Sequence, residues 1–268
     1  MSRRDQYPAG VPCFVEALTP DLDAALRFYR GVFGWAFAGP GAMPGDPPGA
    51  YFVARVDGDD VAGVGSAPAG DEGAIGWSTH VSVDSADDAA QRAVAAGGSL
   101  VLEPFDVAPA GRLAVIADPA GARFCAWEAG VRCGATRVNE PSAWAMSMLR
   151  TPDLASAKAF YGELFGWRAE QFGPGDGPWL WRLPGYVGGE PAQPVPRDVV
   201  AAVVVDDARP PSWGVDFWVA DADAAAAPAT ELGGRVLAGP FTEAMFRRAV
   251  LAAPDGATFS VSQLQLAG

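Results

Sequence analysis

The chain has 268 residues, of which 50% are hydrophobic and 19% are charged, enough for a large buried core and, at this length, for two domains. This composition excludes a disordered chain and a small disulfide-bonded scaffold. The net charge of −13 opposes binding to nucleic acid and to anionic membrane surfaces. The sequence contains no run of about 18 apolar residues, so no transmembrane helix is predicted.

Residue types with reactive side chains are scarce. The three cysteines, Cys13, Cys125 and Cys133, show no C-x-x-C spacing, which is typical of a reducing compartment. We therefore expect a cytoplasmic protein. His80 is the single histidine and Lys158 the single lysine, so a site with two histidine ligands cannot form within one chain.

The first predicted helix follows a short strand at 14–17. Thr19 is a suitable N-cap, Pro20 suits the first helical position, and Gly34 closes the helix. Apolar side chains recur at the spacing of one helical face at Leu22, Leu26, Tyr29 and Phe33.

Short strands and further helices alternate along the rest of the chain. Helices are predicted at 86–96, 153–165 and 221–232, and the first and last of these stop at glycine pairs. Strands are predicted at 51–56, 77–83, 99–105, 113–117, 122–127, 199–205, 213–219, 235–241 and 257–261. Pro- and Gly-rich segments at 39–49 and 185–197 are predicted as loops, which either cover a cavity or only connect strands.

The two halves of the chain repeat one pattern. Residues 19–35 and 151–167 are identical at ten of seventeen positions with a constant offset of 132. A second pair of segments, 77–105 and 213–241, aligns at an offset of 136. The repeat predicts one domain at 8–130 and another at 139–266. Each domain contains two modules, and each module has the order strand, helix and several strands. It leaves open whether these modules pair within the halves or across them.

The strands that precede the helices have two different faces. In the strand at 77–83, Thr79 and Val81 alternate with Ser78 and His80, which is typical of a sheet covered by a helix on one side only. The same alternation separates Phe14 and Glu16, and likewise Asp216 and Trp218, from their apolar neighbours. If the sheets curl, these second faces line a cavity.

Several motifs recur between modules: the FYxxxFGW helix ends, the glycine pairs, and the segments ADPAGARFCAWE and APDGATFSV. In these features the chain resembles the vicinal oxygen chelate superfamily, which contains glyoxalases, bleomycin-resistance proteins and extradiol dioxygenases. Among its members it is most similar to the two-domain actinobacterial glyoxalase-like proteins labelled hydroxylases. The resemblance covers residues 11–265 and implies an α+β fold in which four βαβββ modules form two tandem open barrels around a ligand.

Metal-dependent members of this superfamily take His, Glu or Gln ligands from the first and last strands of each module. Carried over to this sequence, those positions fall on Phe14, Ser78, Cys125, Met146, Gly214 and Ser260. These residues are unsuited to a hard divalent cation, so we predict no metal and no cofactor. A site made of Glu16, His80 and Cys125, which share one strand face, is the remaining alternative.

The candidate catalytic residues are His80 and Glu16, with His80 as general base or hydrogen-bond donor, oriented by Glu16 or Asp216. His80 could instead be a structural residue, and Cys125 is an alternative nucleophile. The candidate ligand-binding residues share the polar or aromatic strand faces: Phe14, Ser78, Cys125, Trp127, Met146, Trp179, Trp181, Asp216 and Trp218.

The predicted function is metal-independent binding of a hydrophobic, aromatic metabolite, in the sequestration of a natural product, resistance to it or support of its biosynthesis. One alternative is a cofactor-free enzyme that modifies an aromatic natural product with His80 as acid or base. A metal-dependent lyase or dioxygenase is the third. The expected partner is an aromatic small molecule rather than nucleic acid or a membrane, and the expected state is a monomer or homodimer.

Overall fold

Two eight-stranded sheets, one from each half of the chain, form the described part of the molecule. The computed structural model describes residues 3–43, 48–173, 177–188 and 195–265. Within these ranges, no helix is long and apolar enough to cross a bilayer. The modules pair within the halves, which settles the question that the sequence left open.

The first sheet has the strand order β2-β3-β4-β1-β5-β8-β7-β6. Its strands and helices are β1 (Pro12–Thr19), α1 (Leu22–Phe33), β2 (Ala36–Met43), β3 (Gly49–Val56), β4 (Asp59–Ser66), β5 (Gly76–Val83), α2 (Ala86–Ala95), β6 (Ser99–Val107), β7 (Gly111–Ala117) and β8 (Arg123–Ala129). At its centre, β1 and β5 run antiparallel and join the two modules. Parallel partners flank this pair, β4 beside β1 and β8 beside β5.

The second sheet repeats this arrangement in the order β10-β11-β12-β9-β13-β16-β15-β14. Its elements are β9 (Ala143–Thr151), α3 (Leu154–Phe165), β10 (Arg168–Gln171), β11 (Trp179–Arg182), β12 (Val199–Val205), β13 (Ser212–Trp218), α4 (Ala222–Ala226), β14 (Arg235–Glu243), β15 (Phe246–Ala252) and β16 (Thr258–Leu264). Strands β9 and β13 form its antiparallel centre. The two curled sheets confirm the predicted α+β class with tandem, duplicated domains.

The start of α1 differs from the prediction by two residues. Asp21, and not Thr19, is the N-cap, because its carboxylate accepts a hydrogen bond from the backbone N–H of Ala24 at 3.0 Å. Thr19 still belongs to β1, and its hydroxyl accepts from the N–H of Asp21. Gly34 ends the helix in the left-handed conformation, as predicted.

Two further predictions are corrected. Helix α4 ends at Ala226 rather than at 232, because Pro228 lacks the N–H that would continue the helical hydrogen bonds. The predicted loop at 39–49 contains the end of β2 and the first residue of β3. Met43 pairs with Gly49 there, and a bulge interrupts the pairing between Ala38 and Gly41. Residues 44–47 of that loop, and 189–194 of the second predicted loop, lie outside the described residues. Strands β4, β10 and β15 were not predicted.

Each half packs its first helix against the sheet of the other half. Phe33 of α1 contacts the rings of Phe217 and Phe259 in the second sheet. Tyr161 of α3 lies against Phe124 in the first sheet. A buried hydrogen bond between the hydroxyls of Thr79 and Ser147, at 2.7 Å, joins the central strands β5 and β9. The helix-side faces of the sheets therefore meet in the interior, and their opposite faces point away from each other.

The FYxxxFGW motif supplies polar contacts across this interface. The indole N–H of Trp35 donates to the carbonyl of Ser142, and that of Trp167 donates to the carbonyl of Gly10, both at 2.7 Å. The hydroxyl of Tyr161 donates to the buried carboxylate of Asp118 at 2.9 Å. Because hydrogen bonds are directional, these contacts specify how the two halves are oriented at an interface that is otherwise apolar.

We expect Tyr161→Phe to lower the free energy of unfolding by about 1–3 kcal/mol, because it leaves the buried Asp118 carboxylate without one of its donors. The matched control is Tyr29→Phe, since the Tyr29 hydroxyl donates to no carboxylate in the described part of the chain and has the indole of Trp77 as its polar neighbour. Urea unfolding measures both variants. Equal losses would contradict a specific role for the Tyr161–Asp118 bond.

Candidate functional site

The candidate site lies on the outward face of the first sheet, on β1, β5 and β8. In this sheet His80 pairs with Phe14 on one side and with Cys125 on the other, and Glu16 pairs with Ser78. Because residues two apart on a strand share a face, the five side chains point to the same side of the sheet. This placement follows the predicted alternation.

Glu16 and His80 form a buried pair. Nε2 of His80 lies 3.2 Å from Oε1 of Glu16, and the two side chains are 5% and 12% exposed, respectively. The contact lacks hydrogen-bond geometry, and Nε2 has no other partner in the described chain. The second carboxylate oxygen of Glu16 accepts a hydrogen bond from the hydroxyl of Tyr51 at 2.9 Å.

Tyr51 is the functional-site residue that sequence reasoning missed. Its hydroxyl occupies the space where a Cβ on Gly63 would lie, so a side chain at position 63 would push the ring away from Glu16. Gly63 is the β4 partner of Glu16. A glycine in the middle of a strand was the available signal, since it often marks close approach of another group.

The charges of the pair depend on its neighbours. Burial lowers the pKa of His80, but the acidic groups of Cys125 and Glu16 outweigh this effect and raise the pKa to about 10. Burial raises the pKa of Glu16, whereas His80 and the hydrogen bond from Tyr51 bring it below its ordinary value. These neighbours therefore favour the protonated form of His80, in which the imidazole donates hydrogen bonds and does not accept them.

Aromatic and sulfur-containing side chains surround the imidazole. The rings of Phe14 and Trp127 meet it edge to face, with centroid distances of 5.8 and 6.1 Å. The Sγ of Cys125 lies 3.3 Å from the hydroxyl of Ser78. The site therefore combines one buried cation with apolar walls, which suits a flat ligand that carries an oxygen acceptor.

The metal positions implied by the resemblance do not fit a metal ion. Phe14 offers no ligand atom, and the equivalent position on β9 is Met146, a thioether unsuited to a hard cation. Within the described residues, one cluster could hold a cation instead: the ligand atoms of Glu16, His80 and Cys125 lie within 4.8 Å of one another. This upper bound is looser than the roughly 3.3–3.8 Å between ligand atoms of tetrahedral zinc at bond lengths of about 2.0–2.3 Å, so the cluster stays the alternative site.

The second half places a different cluster at the equivalent positions. Asp216 on β13 accepts hydrogen bonds from the hydroxyls of Ser260 and Ser262 at 2.6 and 2.7 Å, and Arg248 lies 3.6 Å away. Burial raises the pKa of Asp216, although Arg248 and the serines oppose the rise. Asp216 is thus bound to partners in its own half, and Glu16 rather than Asp216 contacts His80.

The other predicted ligand-binding residues separate into groups. Met146 is the β9 partner of Asp216, and the Trp218 ring lies 6.5 Å from that of Phe246, in the second half. Trp179 and Trp181 lie on the helix side of β11, and the expectation that they line a ligand cavity is corrected. Trp181 is fully buried against Tyr161 and Trp167 of the α3 region, and Trp179 lies under the Lys158 ammonium. The predicted alternation of side chains along β11 was right, but α3 covers the face that carries the two tryptophans.

Comparisons with known proteins agree with this architecture. Residues 14–126 match the Glyoxalase/Bleomycin resistance protein/Dioxygenase superfamily, and residues 146–262 match a Glyoxalase-like domain. The chain is 35% identical over 269 residues to the putative glyoxylase CFP32 of Mycobacterium tuberculosis, covering 97% of both chains. It is 32% identical over 277 residues to the anthracycline biosynthesis protein DnrV of Streptomyces peucetius, covering 97% of this chain and 95% of the relative.

A solved structure shares the fold. The Mn(II)-bound glyoxalase from Novosphingobium aromaticivorans superposes with a TM-score of 0.63 at 20% identity, over 98% of this chain and 83% of that one. At this identity the likeness concerns the fold alone. With both halves matched and relatives aligned over nearly the whole length, the chain belongs to the glyoxalase/bleomycin resistance protein/dioxygenase superfamily.

Proposed function

We propose that this protein binds a hydrophobic, aromatic metabolite on the outward face of its first sheet, without a metal ion, in the metabolism of a natural product. The observation that carries the proposal is the buried His80–Glu16 pair between the rings of Phe14 and Trp127. The similarity to an anthracycline biosynthesis protein supports the natural-product context, because anthracyclines are themselves fused-ring aromatic compounds.

The chemistry of the pair indicates which part of the ligand it contacts. A protonated imidazole has no acceptor, so it binds an oxygen that accepts a hydrogen bond, such as a quinone carbonyl or a phenolate. Tyr51 and Phe14 both pack over Gly63 beside the pair, so the ligand reaches His80 when one of these rings turns away. The flat walls then contact the faces of the ligand.

A second candidate is a cofactor-free enzyme in which His80 acts as the acid. The observation that favours it is the Nε2 atom of His80, which is buried and lacks an aligned partner. In this reaction His80 transfers its proton to a carbonyl oxygen of the substrate, and Glu16 stabilises the cation before the transfer. Binding and catalysis use the same pair and differ in whether the proton leaves His80.

The ligand prediction is tested by titrating the full chain with a panel of hydroxylated anthraquinones and following tryptophan fluorescence. We expect His80→Gln to weaken affinity by about 10–100-fold, because a hydrogen bond to a charged group is lost. The matched control is Trp179→Leu, whose ring lies on the helix side and whose loss should leave affinity unchanged.

The same panel separates the two candidate functions. A binding protein returns every compound unchanged by mass spectrometry, whereas an enzyme converts one of them and loses kcat in His80→Gln while retaining part of its affinity. Unchanged affinity in His80→Gln, with no loss of turnover, would contradict both candidates.

The pair also predicts a dependence of stability on pH. The folded-state pKa of His80, about 10, lies above the value of about 6.5 expected for an unfolded chain. The resulting stabilisation is complete below about pH 6.5 and is lost as the pH rises through about 10. Between pH 7 and pH 10 we expect the free energy of unfolding of the wild type to fall by on the order of 2–4 kcal/mol relative to that of His80→Gln.

Urea unfolding at several pH values measures this difference. The groups that face His80 are Glu16 and Cys125, and Tyr51 acts through its hydrogen bond to Glu16. The protein with His80 and the His80→Gln variant are therefore also compared in a Cys125→Ser background, which removes the contribution of the thiol. A difference that stays constant from pH 7 to pH 10 would show that the imidazole is neutral in the folded protein.

Metal independence is tested by elemental analysis of the purified protein before and after chelation. We expect substoichiometric metal and unchanged ligand affinity, because the superfamily positions hold side chains such as Phe14 and Met146 that do not bind hard cations. One equivalent of zinc, iron or manganese that is lost in both His80→Gln and Cys125→Ser would overturn this part of the proposal.

A further inference from the structure

Two adjoining cavities lie away from the His80–Glu16 pair, where the segment before β1 crosses the second half. The inner cavity, of about 50 Å³, reaches Trp144 and Met146 at the start of β9. The outer cavity, of about 450 Å³, opens to solvent along 183–187. Arg4, Tyr7 and Tyr186 line both, so the two cavities adjoin, and together they are called the cleft.

Two buried donors without partners line the inner cavity. Nε of Arg4 and the indole nitrogen of Trp144 are shielded from solvent, and neither has a hydrogen-bond partner in the described chain. The Trp144 side chain belongs to a residue that is only 5% exposed. Both groups donate and cannot accept, and an unpaired buried donor is destabilising. A ligand that fits this cavity must therefore present acceptor atoms.

The charge of the cleft narrows the choice of ligand. Among the described residues that line the two cavities, Arg4 carries the only formal charge, and none is an aspartate or glutamate. The chain as a whole has a net charge of −13, so an arginine among uncharged described neighbours is unusual for this protein. An arginine whose Nε has no partner among the described residues, in a partly desolvated site, favours an anionic ligand.

The volumes fit a small acidic group on a larger apolar body. About 50 Å³ is room for a few water-sized groups, which matches a carboxylate. The outer cavity falls in the range of roughly 300–1,000 Å³ common for small-molecule sites. Its walls include the rings of Tyr7 and Tyr186 and the side chain of Leu183, which offer flat, apolar contacts.

We propose that this cleft is a second ligand site, specific for aromatic monocarboxylates, with the carboxylate held by Arg4 and Trp144 and the ring between Tyr7 and Tyr186. The guanidinium supplies the charge, and the indole N–H supplies a second hydrogen bond. None of Glu16, His80 and Cys125 lines the cleft, so this inference does not depend on the proposed function of the first sheet.

The test is calorimetric titration of the full chain with benzoate, and with benzyl alcohol as a neutral compound of similar shape. We expect benzoate to bind at least 10-fold more tightly than benzyl alcohol. Arg4→Gln should weaken benzoate binding by at least 10-fold, and Trp144→Phe, which keeps a ring but removes the donor, by several-fold. The matched control is Arg3→Gln, because Arg3 is exposed and already paired with Asp59.

Other outcomes contradict the proposal. Equal benzoate affinity in wild type and Arg4→Gln, equal affinity for benzoate and benzyl alcohol, or no benzoate binding would each overturn it. Inorganic phosphate or chloride that displaces benzoate at equal concentration would show a general anion site and overturn the specificity for an aromatic acid. His80→Gln should leave benzoate affinity unchanged, so that failure here and failure of the proposed function are distinguishable.

Discussion

The structure depends on the insertion of each half's first helix against the sheet of the other half. Aromatic residues of α1 and α3 fill the space between the sheets, and the tryptophan after each helix donates a hydrogen bond to a backbone carbonyl near the start of the opposite half. Tyr161 adds a contact with the buried carboxylate of Asp118. Both large core clusters therefore contain residues from both halves, and burial of these rings is a major apolar contribution to stability.

This arrangement decides which strand faces are free for function. The helix-side faces of both sheets form the interface between the halves, so the face of β1, β5 and β8 that carries Glu16, His80 and Cys125 is the outward one. The same alternation that buries Thr79 and Val81 therefore presents Ser78 and His80 on one functional face. A substitution in the interface would disturb both outward faces together.

The two outward faces have diverged although their backbones match. His80 corresponds to Asp216 in the repeat, so one position holds a cation in the first half and a carboxylate in the second. Each is satisfied locally, His80 by Glu16 and Asp216 by two serine hydroxyls with Arg248 nearby. Duplication thus produced different polar clusters at equivalent positions of the two sheets, and the cleft at Arg4 reaches the second of these faces at Met146.

The sequence by itself determined the duplication, the helix positions and the alternation of strand faces, because these depend on local spacing within one segment. It also brought Glu16, His80 and Cys125 to one face by strand parity. Tertiary structure alone decided which face each helix covers, and this moved Trp179 and Trp181 into the core. It alone brought Tyr51 to Glu16 and Arg4 to Trp144, because those contacts join segments distant along the chain whose meeting depends on how the sheets pack.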